Sequence, residues 1–245
     1  MWSNPRVLNR ITALLHAVAA LLLAYAALVL IAQLPAFAWR HIEIRGNTRH
    51  ISREAVATIV RRDLRGNFFT LDLESARAAF EQLPWVKHAT LRREWPDRLD
   101  VVLVEHVPLA RWNGKALVDA HGEVFGVGDV DGLPQFFGPP GTSKDVTAQY
   151  DTFRRVLTAI HRVPVRVALT ARGAWRVKLD DGMTLELGRT QMDQRLARFV
   201  AVYGRTIGAL GRKVDYVDLR YPNGFAVRIP GLDSGRRSAK RHSTA

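Results

Sequence analysis

The longest hydrophobic stretch of the chain lies near its start, and in the remaining sequence apolar residues recur in short segments at either strand or helix spacing. No charged residue occurs between Ile11 and Trp39. As an α-helix, this stretch would be about 43 Å long, whereas the hydrocarbon layer of a bilayer is about 30 Å thick. The pattern predicts a transmembrane helix at 12–38, preceded by a short segment at 1–11.

A cleaved signal peptide is the alternative interpretation of this stretch. Arg6 and Arg10 precede it, and Ala36-Phe37-Ala38 matches the A-x-A cleavage pattern. Signal peptides have apolar regions of about 7–15 residues, and this one is longer, which favours an uncleaved anchor. Arginines lie on both sides of the stretch, so the positive-inside rule does not determine its orientation.

The region after the anchor predicts a small module of strands and helices. Alternation at 41–45 indicates a strand, and helical spacing follows two capping residues, Ser52 and Asp72. Residues 89–95 and 99–103 alternate on either side of a turn. The predicted order is β-α-α-β-β.

The rest of the chain, at 109–230, predicts a second, strand-rich module. Two hairpins are expected around turns at 119–122 and 180–182, and two apolar stripes at helical spacing predict helices near 146–160 and 192–203. Prolines and glycines at 134–141 predict a loop. Two closing strands, at 214–221 and 225–229, are expected to flank a turn at Pro222-Asn223-Gly224. The predicted fold class is α+β, with a single transmembrane helix.

The composition gives the chain a strongly positive net charge. The chain has 36 Lys and Arg residues against 23 Asp and Glu residues, a formal net charge of +13, and no cysteine. Acidic partners are therefore expected, and disulfides and thiolate metal sites are excluded. The basic tail at 231–245 has almost nothing to bury and is predicted to be disordered.

The sequence contains no recognised catalytic pattern. No H-E-x-x-H, G-x-S-x-G or S-x-x-K motif occurs, and no two histidines have the helical i, i+4 spacing of a zinc pair. The basic stretches lack interleaved aromatic residues free to stack on bases. We therefore predict no catalytic residue, metal site, cofactor, small-molecule substrate or nucleic-acid partner.

Four segments carry a resemblance to a known family. They are Pro84-Trp85-Val86-Lys87-His88-Ala89, Arg93-Glu94-Trp95-Pro96-Asp97-Arg98-Leu99, the segment from Glu105 to Trp112, and Tyr216 to Val227. With the single anchor, they make the chain similar to the FtsQ/DivIB family of bacterial cell-division proteins. The resemblance implies a POTRA domain at 39–108 and a β-domain at 109–230. It also implies a single-pass type II protein of the inner membrane at the division septum, with 1–11 in the cytoplasm and the C-terminal domain in the periplasm.

The resemblance also implies partners and contact residues. The family acts as a non-enzymatic scaffold of septum assembly, in which the β-domain edge binds FtsB together with FtsL, and the anchor and POTRA domain assist recruitment by other divisome proteins. Carried over to this chain, the contact positions are Arg172, Arg220, Tyr221, Asn223, Gly224, Phe225 and Val227. Arg172 is expected to meet an acidic side chain of the partner.

The strand pattern also predicts a binding surface in this region, independently of the family resemblance. A closing strand at 225–229 has one covalent neighbour, so its other side could accept a strand from another chain. A simpler interpretation is that Arg228 merely protects this edge. Two other functions stay open: a POTRA-bearing chaperone of envelope protein transport, and an enzyme acting on cell-wall polymer.

Overall fold

The computed structural model describes residues 5–32 and 37–230, which divide into two compact units. The first unit is Met1–Glu105 and the second is His106–Ala245. Three parts of the predictions lie outside the described residues: 1–4, residues 33–36 of the predicted transmembrane helix, which include Ala36 of the A-x-A pattern, and the tail at 231–245.

The first element is a long apolar helix, α1 (Pro5–Ala32). Its segment Asn9–Ala32 has a mean hydropathy of 2.5 and is the one helix of the described residues that is long and apolar enough to cross a membrane. Phe37 and Ala38 do not continue it as an α-helix.

The remainder of the first unit has the predicted β-α-α-β-β order. Its elements are β1 (His41–Gly46), α2 (Arg53–Asp63), α3 (Leu73–Glu81), β2 (Val86–Glu94) and β3 (Arg98–Glu105). The sheet order is β1-β3-β2, with β1 parallel and β2 antiparallel to β3.

Both predicted helix caps of this unit are confirmed. The Ser52 hydroxyl accepts a hydrogen bond from the Ala55 amide, and the Asp72 carboxylate accepts from the Glu74 and Ser75 amides. The caps satisfy amides that have no partner within the helix and fix where each helix begins. The two helices then bury Val56, Ile59 and Phe80 in the core of the unit.

The second unit is built on a nine-stranded sheet. Its strands are β4 (Pro108–Trp112), β5 (Ala116–Asp119), β6 (Val124–Val127), β7 (Gln135–Phe137), β8 (Pro164–Leu169), β9 (Trp175–Leu179), β10 (Thr184–Gly188), β11 (Tyr216–Asp218) and β12 (Ala226–Arg228). Their order across the sheet is β12-β11-β10-β9-β8-β7-β4-β5-β6.

Two helices, α4 (Ser143–Leu157) and α5 (Met192–Tyr203), share a core with this sheet. Strand β9 shows the underlying alternation, because Trp175, Val177 and Leu179 are buried while the residues between them are exposed. The two predicted hairpins, β5–β6 and β9–β10, are confirmed. The α+β fold class is confirmed with them.

The structure corrects two parts of the prediction for this unit. Strands β4, β7 and β8 were not expected, and β7 lies inside the stretch at 134–141 that was predicted to be a loop. Strand β7 is only three residues long and pairs in parallel with both β4 and β8. Such pairing between distant segments leaves no local signal in the sequence.

The closing strands are also shorter than predicted. Strand β11 ends at Asp218 instead of 221, and β12 covers Ala226–Arg228 instead of 225–229. The Arg220 amide donates to the Asp218 side chain, and Pro222 has no amide hydrogen. The ladder therefore stops before Tyr221.

Candidate functional site

The last strand, β12, forms one edge of the nine-stranded sheet. Among the described residues it pairs only with β11, in an antiparallel register that joins Tyr216 to Arg228, Val217 to Val227 and Asp218 to Ala226. The outer side of an edge strand carries backbone amides and carbonyls without ladder partners. The predicted position of the closing strand at a sheet edge is confirmed.

Strand β11 attaches this edge to the core of the sheet. It runs parallel to β10, and the Leu219 amide donates to the carbonyl of Glu186, 2.9 Å away. Val217 is fully buried, as is Leu185 opposite it. The edge strand is therefore held on a rigid neighbour.

A bidentate ion pair closes the end of β11. The Arg220 guanidinium donates from Nε to Asp218 Oδ1 at 2.9 Å and from Nη2 to Asp218 Oδ2 at 2.6 Å. The Asp218 side chain is buried, whereas that of Arg220 is half exposed. The hydrogen bonds from Arg220 hold the pKa of Asp218 below its ordinary value, against the opposing effect of burial, and those to Asp218 raise the pKa of Arg220.

Four arginines meet in a groove of about 440 Å³ next to this ion pair. We call it the arginine groove, and its arginines are Arg172, Arg189, Arg195 and Arg220. They come from four different places: the β8–β9 turn, the end of β10, helix α5 and the end of β11. Arg172 and Arg220, both predicted contact residues, thus lie in one groove.

The four arginines differ in whether they already have an ion-pair or hydrogen-bond partner. Arg220 is paired with Asp218, and Arg195 donates to the carbonyl of Leu187 at 2.8 Å. Neither Arg172 nor Arg189 has an ion-pair partner within residues 5–32 and 37–230, and both are exposed. Two guanidinium groups of the groove can therefore meet acidic groups from outside.

A glycine makes the close approach of these arginines compatible with the sheet. Gly188 has a φ of +77°, and a Cβ there would lie 2.9 Å from Arg195 Nη1 and 3.1 Å from Arg220 Cγ. Any other residue would be strained by the left-handed backbone and would crowd the groove.

The other predicted contact residues divide into an exposed and a packed group. Tyr221 is 54% exposed, and Asn223 and Gly224 lie exposed in the turn before β12. Phe225 and Val227 are half-buried and pack on the core of the unit. The predicted site residues do not all form one open surface.

Phe225 makes a specific contact inside the unit. Its ring meets that of Phe199 edge to face, with centroids 5.7 Å apart. Phe199 is fully buried on α5. Phe225 therefore fastens the edge to the core, and a polar substitution there would disturb the fold as well as any partner contact.

Three arginines of the site were not among the predicted contact residues: Arg189, Arg195 and Arg198. Arg198 donates to the carbonyl of Pro222 and so connects α5 to the turn before β12. Arg195 and Arg198 are three residues apart on α5, each next in sequence to one of its buried residues, Leu196 and Phe199. That spacing was a readable signal, whereas nothing local connects Arg189 with Arg172.

Arg228 does not extend across the open side of its strand. Its guanidinium lies 5.4 Å from the centroid of the Tyr216 ring, which belongs to the neighbouring strand. This cation–π contact holds the side chain over the face of the sheet. The interpretation of Arg228 as a guard of the edge has no support in this geometry.

Two family models match the chain. The model described as "Cell division protein FtsQ/DivIB, C-terminal" matches residues 110–220, and the model "POTRA domain, FtsQ-type" matches residues 37–106. Their boundary region coincides with the division into two compact units.

Several curated proteins are similar over almost the whole chain. A "Cell division protein FtsQ" from Burkholderia pseudomallei is 45% identical over 239 residues, which covers 95% of this chain and 96% of the relative. A protein of the same name from Nitrosospira multiformis is 40% identical and covers 93% and 99%. A third, from Bordetella pertussis, is 37% identical and covers 100% and 99%.

Proposed function

Because this chain belongs to the FtsQ/DivIB family of bacterial cell division proteins, we propose that it acts as a non-enzymatic scaffold of the division machinery. Its role in cell division follows from the family. The scaffold role adds that the chain binds other proteins of the septum and catalyses no reaction. The absence of recognised catalytic motifs from the sequence supports it.

The proposed topology is a single-pass type II protein of the inner membrane. Helix α1 is the anchor, 1–11 lies in the cytoplasm, and the POTRA domain (39–108) and the β-domain (109–230) lie in the periplasm at the septum. The length and hydropathy of α1 support an anchor. N-terminal sequencing of the mature protein separates this proposal from a cleaved signal peptide.

The observation that carries the partner proposal is the open β12 edge, together with the arginine groove at the end of the neighbouring strand β11. An incoming strand can pair with the free side of β12 through backbone hydrogen bonds. Arg172 and Arg189 supply positive charge without competing ion pairs. The partner that this surface fits is an extended segment with acidic side chains.

We assign that segment to FtsB, in its complex with FtsL. Each part of the site has a distinct task in this proposal. Strand β12 with Val227 supplies the ladder, Tyr221, Asn223 and Gly224 form the open surface beside it, and Phe225 keeps the edge fastened to α5. Arg220 orients the turn through Asp218, while Arg172 and Arg189 select for acidic residues.

Charge reversal in the groove tests the proposal. Arg172→Glu in the full chain, reconstituted in nanodiscs, should weaken binding of a purified FtsB–FtsL complex about tenfold or more, equivalent to about 1.4 kcal/mol, because attraction becomes repulsion. Arg205→Glu, which changes an exposed arginine outside the groove, is the matched control. Equal affinity of the wild type and Arg172→Glu would contradict the assignment.

Tyr221→Lys tests the exposed part of the surface without touching the core. It should also weaken binding, because the aromatic area beside the edge is lost. We prefer it to a change at Phe225, whose ring packs on Phe199. Binding that is unaffected by Tyr221→Lys would remove this residue from the interface.

The two alternative functions lack comparable support. The relatives that match nearly the full length of the chain are named cell division proteins, which does not favour a chaperone of envelope protein transport. Hydrolysis of cell-wall polymer by the purified chain, measured by zymography, would contradict the scaffold proposal.

A further inference from the structure

Two histidines and two carboxylates surround the turn between β5 and β6. Nδ1 of His106 lies 3.2 Å from Oδ2 of Asp119, and Nδ1 of His121 lies 3.7 Å from the same oxygen. One ligand atom each from His106, Asp119 and Glu123 lie within 4.8 Å of one another. We propose that His106, Asp119, His121 and Glu123 form a site for one zinc ion.

The Asp119 carboxylate is preorganised for this role. The residue is only 2% exposed, and its Oδ1 accepts hydrogen bonds from the backbone amides of His121 and Glu123, at 2.8 and 3.0 Å. These bonds hold the carboxylate so that Oδ2 faces both imidazoles. Hydrogen bonds to a ligand group from outside the coordination sphere orient it in the same way in known metal sites.

The His106 ring is also held in place. It stacks on Phe125 with a centroid separation of 4.3 Å and an angle of 10° between the rings, and its side chain is 11% exposed. Two of the four ligands are therefore positioned without the ion. The side chain of His121 is 72% exposed and Glu123 is exposed, which leaves a path for the ion from solvent.

The distances fit tetrahedral zinc better than larger or harder ions. Zinc bonds of about 2.0–2.1 Å in a tetrahedron place ligand atoms about 3.3 Å apart, close to the observed 3.2 Å. The wider separations, 3.7 Å between His121 Nδ1 and Asp119 Oδ2 and up to 4.8 Å for Glu123, involve the two exposed ligands and would have to shorten when the ion binds. Two imidazoles favour zinc over calcium and magnesium, which prefer oxygen ligands.

Zinc would have a structural role here. Four protein ligands leave no open position for a substrate or a reactive water. The ion would replace the hydrogen bond between His106 Nδ1 and Asp119 Oδ2 and would tie residue 106, the first of the second unit, to the β5–β6 turn. Asp119, His121 and Glu123 alternate along a turn, so the ligands lack the i, i+4 spacing of a helical zinc pair.

The test is zinc retention by the full chain in detergent micelles. After loading with zinc and dialysis against metal-free buffer, the wild type should keep about one zinc per chain by mass spectrometry of the metal content, as expected for a four-ligand site. The double variant His121→Asn, Glu123→Gln should lose most of it. Both changes keep the backbone amides that bind Asp119, and the circular dichroism of the zinc-free variant verifies that it is folded.

His161→Asn is the matched control. His161 is an exposed histidine outside the cluster, in a left-handed conformation with φ of 55°, which asparagine tolerates. It should retain zinc as the wild type does. A wild-type chain that keeps almost no zinc, or a double variant that keeps as much as the wild type, would overturn the proposal.

Discussion

Among the described residues, the two edges of the nine-stranded sheet are strands with one unpaired side, yet the charged side chains near them differ. Near the start of β12, at the end of β11, lies Arg220, which is one of the arginines of the groove. At the other edge, β6 is followed by Asp129 and Asp131, both exposed, and Arg111 pairs with Asp129 at 2.8 Å. An unpaired edge alone does not select a partner, because every strand offers the same backbone groups. The neighbouring side chains make the selection.

The two edge strands also differ in how they pack on the rest of the unit. Val127, at the end of β6, is 71% exposed. Strand β12 is shorter than β6, but Phe225 in front of it packs on Phe199 of α5. A three-residue strand with three pairs would contribute little by itself. Packing on α5 therefore compensates for the shortness of β12.

The largest expected effect comes from removing that packing. Phe199→Ala should lower the free energy of unfolding of the second unit by about 3–5 kcal/mol, because a fully buried ring that contacts Phe225 and Tyr203 is replaced by a cavity. Val127→Ala at the other edge should change it by less than about 0.5 kcal/mol. Urea denaturation of the full chain in detergent, followed by tryptophan fluorescence, measures both. Similar losses for the two variants would show that the edges are fastened alike.

A smaller loss of stability is expected when alanine replaces either of two glycines that have the same backbone conformation. Gly188 and Gly132 both have a φ of +77°, but a Cβ at Gly188 would crowd Arg195 and Arg220, whereas nothing lies within 4 Å of one at Gly132. Each Gly→Ala change should cost about 1–2 kcal/mol through the left-handed backbone.

Only Gly188→Ala should also weaken partner binding, because it displaces arginines of the groove. The comparison of the two variants, by denaturation and by binding to FtsB–FtsL, separates backbone strain from the shape of the groove. Equal binding by both would mean that the arrangement of the arginines is unimportant for recognition.

The smallest expected effect is a dependence of the free energy of unfolding on pH. Because the pKa of Asp218 is lowered in the folded chain, its pairing with Arg220 stabilises the fold above the ordinary carboxyl pKa and is lost as the pH falls through the lowered value. Asp218→Asn should therefore be less stable than the wild type at pH 6, and the difference should disappear on strong acidification. Denaturation between pH 6 and pH 2 measures this.

The control for that experiment is Asp129→Asn, at the acidic edge, which removes a carboxylate that is 83% exposed. A gap between the wild type and Asp218→Asn that stayed constant over the whole pH range would contradict the role of the ion pair.

Local patterns were sufficient for the first unit and for parts of the second. Ser52 and Asp72 cap the helices that follow them, and the hairpin β9–β10 closes across its turn, because caps and hairpins join residues close in sequence. Strand β7 was missed because its pairing with β4 and β8 joins segments more than twenty residues apart. The contact positions carried over from the family stay predictions.

By itself, the sequence determined the apolar helix, the β-α-α-β-β order and the family, because periodicity and motifs are properties of neighbouring residues. Only the tertiary structure decided that Arg172 and Arg189 share a groove with Arg220, that Phe225 turns inward to Phe199, and that His106 meets Asp119. Each of these contacts is made by packing and strand order, which bring together residues that no local spacing connects.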